Sequence, residues 1–193
     1  MSETVARGTT IEPAGARSSP MRTGMALFLT SETFLFGSLF WTYYYLRAWT
    51  PGWPPHHPSA ELAGLNTVLL LAGSGAIWLG TRAIRRGNER GLRAALVVTA
   101  LLGAIFLGIT FTEWAHEDFR PWTDAYGSIF FTLTGFHALH VLGGVVLMLA
   151  LAARTMRHRF SAESFVAVDV GSLYWHFVDI IWLIVFTTVF MVR

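Results

Sequence analysis

Charged side chains are nearly absent from five stretches of this chain, at about residues 25–46, 62–83, 92–114, 126–153 and 166–192. Each is about as long as the ~20 residues a helix needs to cross the hydrocarbon core of a bilayer. Polar segments separate them. Pro51, Pro54, Pro55 and Pro58 close the first stretch, because proline has no amide hydrogen with which to continue a helix. The pattern predicts an all-α, polytopic membrane protein: a bundle of five transmembrane helices within residues 21–193. The preceding residues 1–20 mix Ser, Thr, Gly, Pro, Arg and Glu without apolar periodicity and read as a disordered or peripheral tail. No apolar run with a small-residue cleavage site follows that tail promptly, so it does not read as a signal peptide.

Charge placement adds a direction to this bundle. Arg7, Arg17 and Arg22 precede the first span, Arg82, Arg85, Arg86, Arg90 and Arg93 surround the second connection, and Arg154, Arg157 and Arg159 follow the fourth span. Those eleven arginines alternate onto one side, against Arg47, Arg120 and Arg193 on the other. Positive residues favour the cytoplasmic side, which puts the N-terminus in the cytoplasm and the C-terminus outside. An even number of spans would spoil the split, so the charges support five independently of hydropathy. Near the external loops Trp41, Tyr43, Tyr44, Tyr45, Trp49, Trp53, Trp114 and Trp122 have the composition of headgroup-level anchors.

Overall composition agrees. Hydrophobic residues make up 53% and charged residues 13%, whereas an average soluble domain carries roughly 25% charged residues. There is no cysteine, so disulfides and thiolate metal sites are excluded. Nothing in the charge pattern points to nucleic acid.

Ionisable groups inside the spans are expensive in hydrocarbon, and each is therefore a candidate for function. They are Glu32 in the first span, His137 and His140 in the fourth, and His176 and Asp179 in the fifth, with Glu113 near the external end of the third. At ~1.5 Å per residue, Glu32 lies roughly 10 Å in from the cytoplasmic side, and the others except Glu113 fall in a neighbouring slab. They can meet in one interhelical cluster if the helix rotations allow it. Glu32 shares its face with Phe28, Leu35, Phe36 and Leu39 and reads as a lone carboxyl on an apolar surface. His176 and Asp179 are i, i+3 neighbours, able to bond each other or one shared partner. His137 and His140 have a spacing that could place two imidazoles on one ion, but no third ligand accompanies them. Structural hydrogen bonding or headgroup contact is the favoured reading. His56, His57 and His158 read as loop histidines without a special role. Asn66, Gly73 and Gly80, and Gly103, Gly135, Gly143 and Gly144, mark seams where helices approach closely.

Two segments are more specific: Tyr126–Gly144, YGSIFFTLTGFHALHVLGG, and Tyr174–Phe186, YWHFVDIIWLIVF. With Ser31-Glu32-Thr33 they resemble the signatures of subunit III of the haem-copper respiratory oxidases, whose members show a GFHGLHV-like helix and a closing YWHFVDVVW-like helix. The resemblance runs from about Gly24 to Arg193 and is to the short, five-helix bacterial form. It implies an accessory subunit of a proton-translocating cytochrome c oxidase in the bacterial inner membrane. Such a subunit carries no haem, copper or other metal of its own, those groups belonging to partner subunits. Its implied partners are oxidase subunits I and II and bound phospholipid, and the isolated chain is not expected to be catalytic. The resemblance further implies that Glu32 corresponds to the family's carbodiimide-reactive glutamate near the proton-uptake side, and that Glu113, His137, His140, His176 and Asp179 form a framework contacting lipid or other subunits. Thr110 stands where the family usually has Gln, Trp114 follows Glu113, and Ala138 replaces the commoner Gly. These departures leave a quinol oxidase or nitric oxide reductase partner as alternatives. A small ion transporter is a further alternative, weakened by the lack of an internal repeat and of a Gly/Pro-broken helix.

Overall fold

The computed structural model describes residues 20–156 and 166–192. Residues 1–19 of the expected tail, with Arg7 and Arg17, and Arg157, His158, Arg159 and Arg193 lie outside the described residues, and Pro20 opens the first helix. Five helices run in chain order: α1 Pro20–Trp49, α2 Ala60–Arg85, α3 Glu89–His116, α4 Ala125–Met156 and α5 Val166–Phe186, the last continuing into a π-helical turn, Thr187–Met191. All five are long and apolar enough to cross a membrane.

The helices outrun the charge-free stretches that predict them. Hydropathy marks only the part that must sit in hydrocarbon, while the polar end turns stay helical beyond it. Of the arginines expected in the second connection, Arg82 and Arg85 belong to α2, Arg90 and Arg93 belong to α3, and Arg86 alone lies in the turn. That turn is short because one motif ends α2 and the next residue starts α3. Gly87, at φ +75°, lets its own amide reach Ile84 O and the Asn88 amide reach Ala83 O. The Asn88 side chain then accepts from Gly91 N at 2.9 Å and caps α3.

α5 is the central helix, packing against α1, α2 and α4, while α3 packs against α2 and α4 and α1 against α4 and α5. The seam glycines explain how so many helices fit round it. Trp175 of α5 is fully buried, and its indole lies in a notch made by glycines of three other helices. A Cβ added at Gly73 of α2 would lie 3.2 Å from the ring, at Gly103 of α3 2.8 Å, and at Gly144 of α4 3.0 Å. The smallest residue is needed there, since the largest must enter. Gly80 serves a different contact: its Cβ would meet Ala95 Cβ at 2.7 Å, so it brings α2 and α3 together.

α1 is the least enclosed helix, with Leu27, Phe34, Trp41 and Trp49 facing outward. In lipid such apolar exposure carries no penalty, because hydrocarbon solvates it. The aromatic anchors divide into two groups, with half-buried Trp114 between them, packed on Phe111 and Phe131. Trp41, Tyr44, Tyr45, Trp49 and Trp122 are exposed, as headgroup anchors must be. Tyr43 is buried and stacks edge-on with Trp53, which in turn packs on Tyr126. Those two rings close the bundle end instead of facing headgroups.

Candidate functional site

Glu32 is not alone. Its Oε2 lies 3.0 Å from His140 Nε2 across the α1–α4 contact, and the two side chains are 15% and 13% exposed. α1 begins at Pro20, so Glu32 lies about 18 Å along the helix from its start, the polar first turns preceding the apolar span. The other imidazole nitrogen is occupied: Nδ1 donates to Phe136 O at 2.7 Å. Since a carbonyl only accepts, the Nε2–carboxyl bond has to hold one proton, either on the acid or on an imidazolium. Tyr174 Oη donates to His140 O at 2.9 Å and brings α5 to the same place. Phe36 stands edge-on to the imidazole.

His176 and Asp179 do share a partner, as their spacing allows. Ser74 of α2 donates to Asp179 Oδ2, and its oxygen lies 3.0 Å from His176 Nδ1. Ser172 Oγ lies 3.3 Å from His176 Nε2. One proton order satisfies every atom: Ser172 donates to Nε2, Nδ1–H donates to Ser74, and Ser74 donates to the carboxylate. The tautomer is assigned from this network.

The polar groups therefore do not form one cluster. Tyr174 and His176 are two residues apart on a helix, which turns them about 200° and sends them to opposite faces of α5. One assembly joins α1, α4 and α5, and the other joins α2 and α5. His137 belongs to neither. It is buried between Phe106 and Trp182, at ring centroid distances of 5.6 and 5.0 Å, and neither nitrogen has a hydrogen-bond partner among the described residues. Its depth in the core rules out headgroup contact, and it does not converge with His140. Glu113 is likewise buried at the far end of α3, where one carboxyl oxygen, Oε1, lacks a partner among the described residues. One turn away, Thr110 accepts from Asn66 Nδ2 at 3.3 Å. Trp182 Nε1 donates to Thr67 Oγ1 at 2.9 Å, a further α2–α5 tie.

Two more polar sites lie at the bundle ends. Asp169, in the first turn of α5, takes Arg22 of α1 at 2.6 Å and Arg85 of α2 at 3.6 Å. At the opposite end His56, read from sequence as an idle loop residue, stacks on Phe119 at 4.5 Å and binds Asp124 Oδ2 at 2.9 Å. Asp124 also caps α4 by accepting from Gly127 N at 2.7 Å. Burial works to raise the Asp124 carboxyl, but the Gly127 amide, His56 and the Tyr126 amide outweigh it and hold it below the usual carboxylate range. Burial, aided by Asp118 and opposed by His56, pushes the neighbouring Glu117 up.

A lowered native pKa makes the stabilisation by Asp124 complete above the unfolded carboxylate value, and it disappears as pH falls through the native one. Asp124→Ala is accordingly expected to cost about 0.5–2 kcal/mol, typical of a lost N-cap. It should also flatten the acid side of a melting-temperature profile taken on the solubilised protein. An unchanged acid limb would contradict the capping role.

Sequence reasoning missed Ser74, Ser172, Tyr174, Asp169 and the His56–Asp124 pair. Serine and tyrosine in an apolar run cost too little to attract notice. Asp169 was findable as the acid in the first turn of α5, at the end of the bundle that carries the arginines of α1 and α2.

In chemical terms the site is a set of interhelical hydrogen bonds. Among the described residues no group of three His, Asp or Glu side chains is placed to hold a metal ion. Both ring nitrogens of His140 and of His176 are engaged by protein atoms, so neither offers an axial ligand to a haem. The fold and these contacts define a multi-pass membrane bundle whose polar groups tie helices together. Comparison with known proteins makes this specific. The sequence model of the family "Cytochrome c oxidase subunit III" matches residues 5–192. A "Cytochrome c oxidase subunit 3" of Thermostichus vulcanus is 37% identical, over 87% of this chain and 85% of that protein. A "Probable cytochrome c oxidase subunit 3" of Nocardia farcinica is also 37% identical, over 92% and 90%. The subunit of Rattus norvegicus is 33% identical, over 88% of this chain and 69% of its own length. The chain belongs to the cytochrome c oxidase subunit III family.

Proposed function

We propose that this chain is the accessory subunit of a bacterial cytochrome c oxidase. It sits in the cell membrane with its N-terminus cytoplasmic and its C-terminus external, steadies the large catalytic subunit, holds phospholipid and supports proton uptake. Oxygen reduction takes place in the partner subunits that carry haem and copper. The eleven-to-three arginine split supports the orientation.

The observation that carries a proton-linked role is the Glu32–His140 contact, in which one proton is held between two side chains near the middle of the outermost helix. With that shared proton on the carboxyl, Glu32 is a target for a hydrophobic carbodiimide. The test uses the assembled oxidase. Carbodiimide should label Glu32, and Glu32→Gln should abolish that label while assembly and initial oxygen consumption stay largely intact, with activity fading sooner during sustained turnover. Immediate loss of all turnover in Glu32→Gln would instead assign the side chain to proton conduction itself. Failure of the chain to co-purify with a haem- and copper-bearing subunit would overturn the accessory role.

A further inference from the structure

His137 is 1% exposed, deep in a membrane span, and neither of its ring nitrogens has a hydrogen-bond partner among the described residues. A neutral imidazole carries one N–H donor and one acceptor nitrogen, so both kinds of bond are unmade. Its neighbours cannot supply them. Phe106 has no polar side-chain atom, and the Trp182 indole N–H is already given to Thr67 Oγ1. Thr67 in turn donates to Ala63 O. Three residues before His137, on the same side of α4, the Thr134 hydroxyl is engaged by Phe130 O.

The same part of the core holds two more such atoms. Phe106, Thr110 and Glu113 follow one inner stripe of α3 at i, i+4 and i+7, and all three are buried. Thr110 accepts from Asn66 Nδ2, which leaves Asn66 Oδ1, like Glu113 Oε1, without a partner among the described residues. Turning the amide over would exchange its two ends and still leave one of them orphaned. Asn66 is next to Thr67, the partner of Trp182, so all of α2, α3, α4 and α5 meet here. The stripe from Phe106 to Glu113 is about 10 Å long. It passes four orphaned polar atoms: Asn66 Oδ1, Glu113 Oε1 and both nitrogens of His137. Native interiors pair nearly all such groups, and hydrocarbon around a span offers them no partner. The two oxygens need a donor, and the imidazole needs a donor and an acceptor at once. Water is the smallest molecule that supplies both. We propose that bound water bridges His137, Asn66 and Glu113 inside the core formed by α2, α3, α4 and α5, making a hydrated site enclosed by protein within the membrane span.

The test uses the assembled complex and hydroxyl radicals generated by a brief X-ray pulse, which oxidise side chains beside bound water as well as those open to bulk solvent. Peptide mass spectrometry then compares two residues of one type. Trp182 lies against His137, whereas Trp175, also buried, sits in the glycine notch with its ring nitrogen beside Gly73. Oxidation of Trp182 should exceed that of Trp175. His137→Phe should bring Trp182 down to the Trp175 level. His137→Gln keeps a donor and an acceptor and should retain most of the excess. Equal oxidation of the two tryptophans in the unaltered protein would overturn the water site, and that comparison requires no variant to fold. An excess at Trp182 that survives His137→Phe would overturn it as well, because the water would then owe nothing to the imidazole.

Discussion

Trp175→Ala is expected to destabilise the bundle by about 3 kcal/mol, at the low end of the ~3–5 kcal/mol for emptying a core aromatic site in a soluble protein. The reduction has a physical cause. In water that cost combines lost hydrophobic transfer with the cavity left behind. In a bilayer the unpacked helices are already solvated by hydrocarbon, so the cavity and its lost dispersion contacts dominate. The cavity cannot collapse readily, because the wall is three helix backbones at Gly73, Gly103 and Gly144. The complementary change is Gly103→Val. Its Cβ would fall 2.7 Å from Val145 Cγ2 and 2.8 Å from Trp175 Cη2, so it should be damaging in the wild type and milder beside Trp175→Ala. Denaturant titration of the solubilised complex, followed by retention of this subunit, measures both. An unaltered midpoint in Trp175→Ala would show that the glycine notch contributes nothing to packing.

Ser74→Ala is the second large effect expected, although it removes one oxygen from a half-buried side chain. That hydroxyl is the only atom in contact with both His176 Nδ1 and Asp179 Oδ2 among the described residues. Removing it strands two polar groups within a membrane span, at about 1–3 kcal/mol for each group left without a partner. Ser74→Thr keeps the hydroxyl and should retain most of the stability. Equal loss in Ser74→Ala and Ser74→Thr would mean that side-chain volume, and not the shared hydrogen bond, matters at this position.

The number of spans and the families of polar residues were legible because membrane insertion constrains composition residue by residue. Rotation about each helix axis was not, and most of the site depends on it. Glu32 looked solitary because its partner, His140, is 108 residues away on a helix whose facing could not be read. His137 and His140 looked like a pair because i, i+3 spacing suggests one face. Yet the 60° between them is enough to send His140 out to α1 and His137 in to Phe106 and Trp182. His176 and Asp179 behaved as their spacing suggests because a third residue, Ser74, stands at the bisector. Helix ends were misjudged for a different reason: caps such as Asn88 and Asp124 sit outside the apolar run that hydropathy detects.

The partners of α1 also fix an order of events during synthesis. Arg22 waits for Asp169, Phe28 for Tyr174, Glu32 for His140, Tyr44 for Thr188 and Arg47 for Val192 O. The earliest made of these five helices is thus docked late, and it must persist as a single span until α4 and α5 are made. Its sequence suits that wait. Thr30, Ser31, Thr33, Ser38 and Thr42 each bond a carbonyl of their own helix, so their hydroxyls need nothing from the rest of the chain. Glu32 has no such provision, and its carboxyl reports, by whether His140 has reached it, that the bundle has closed.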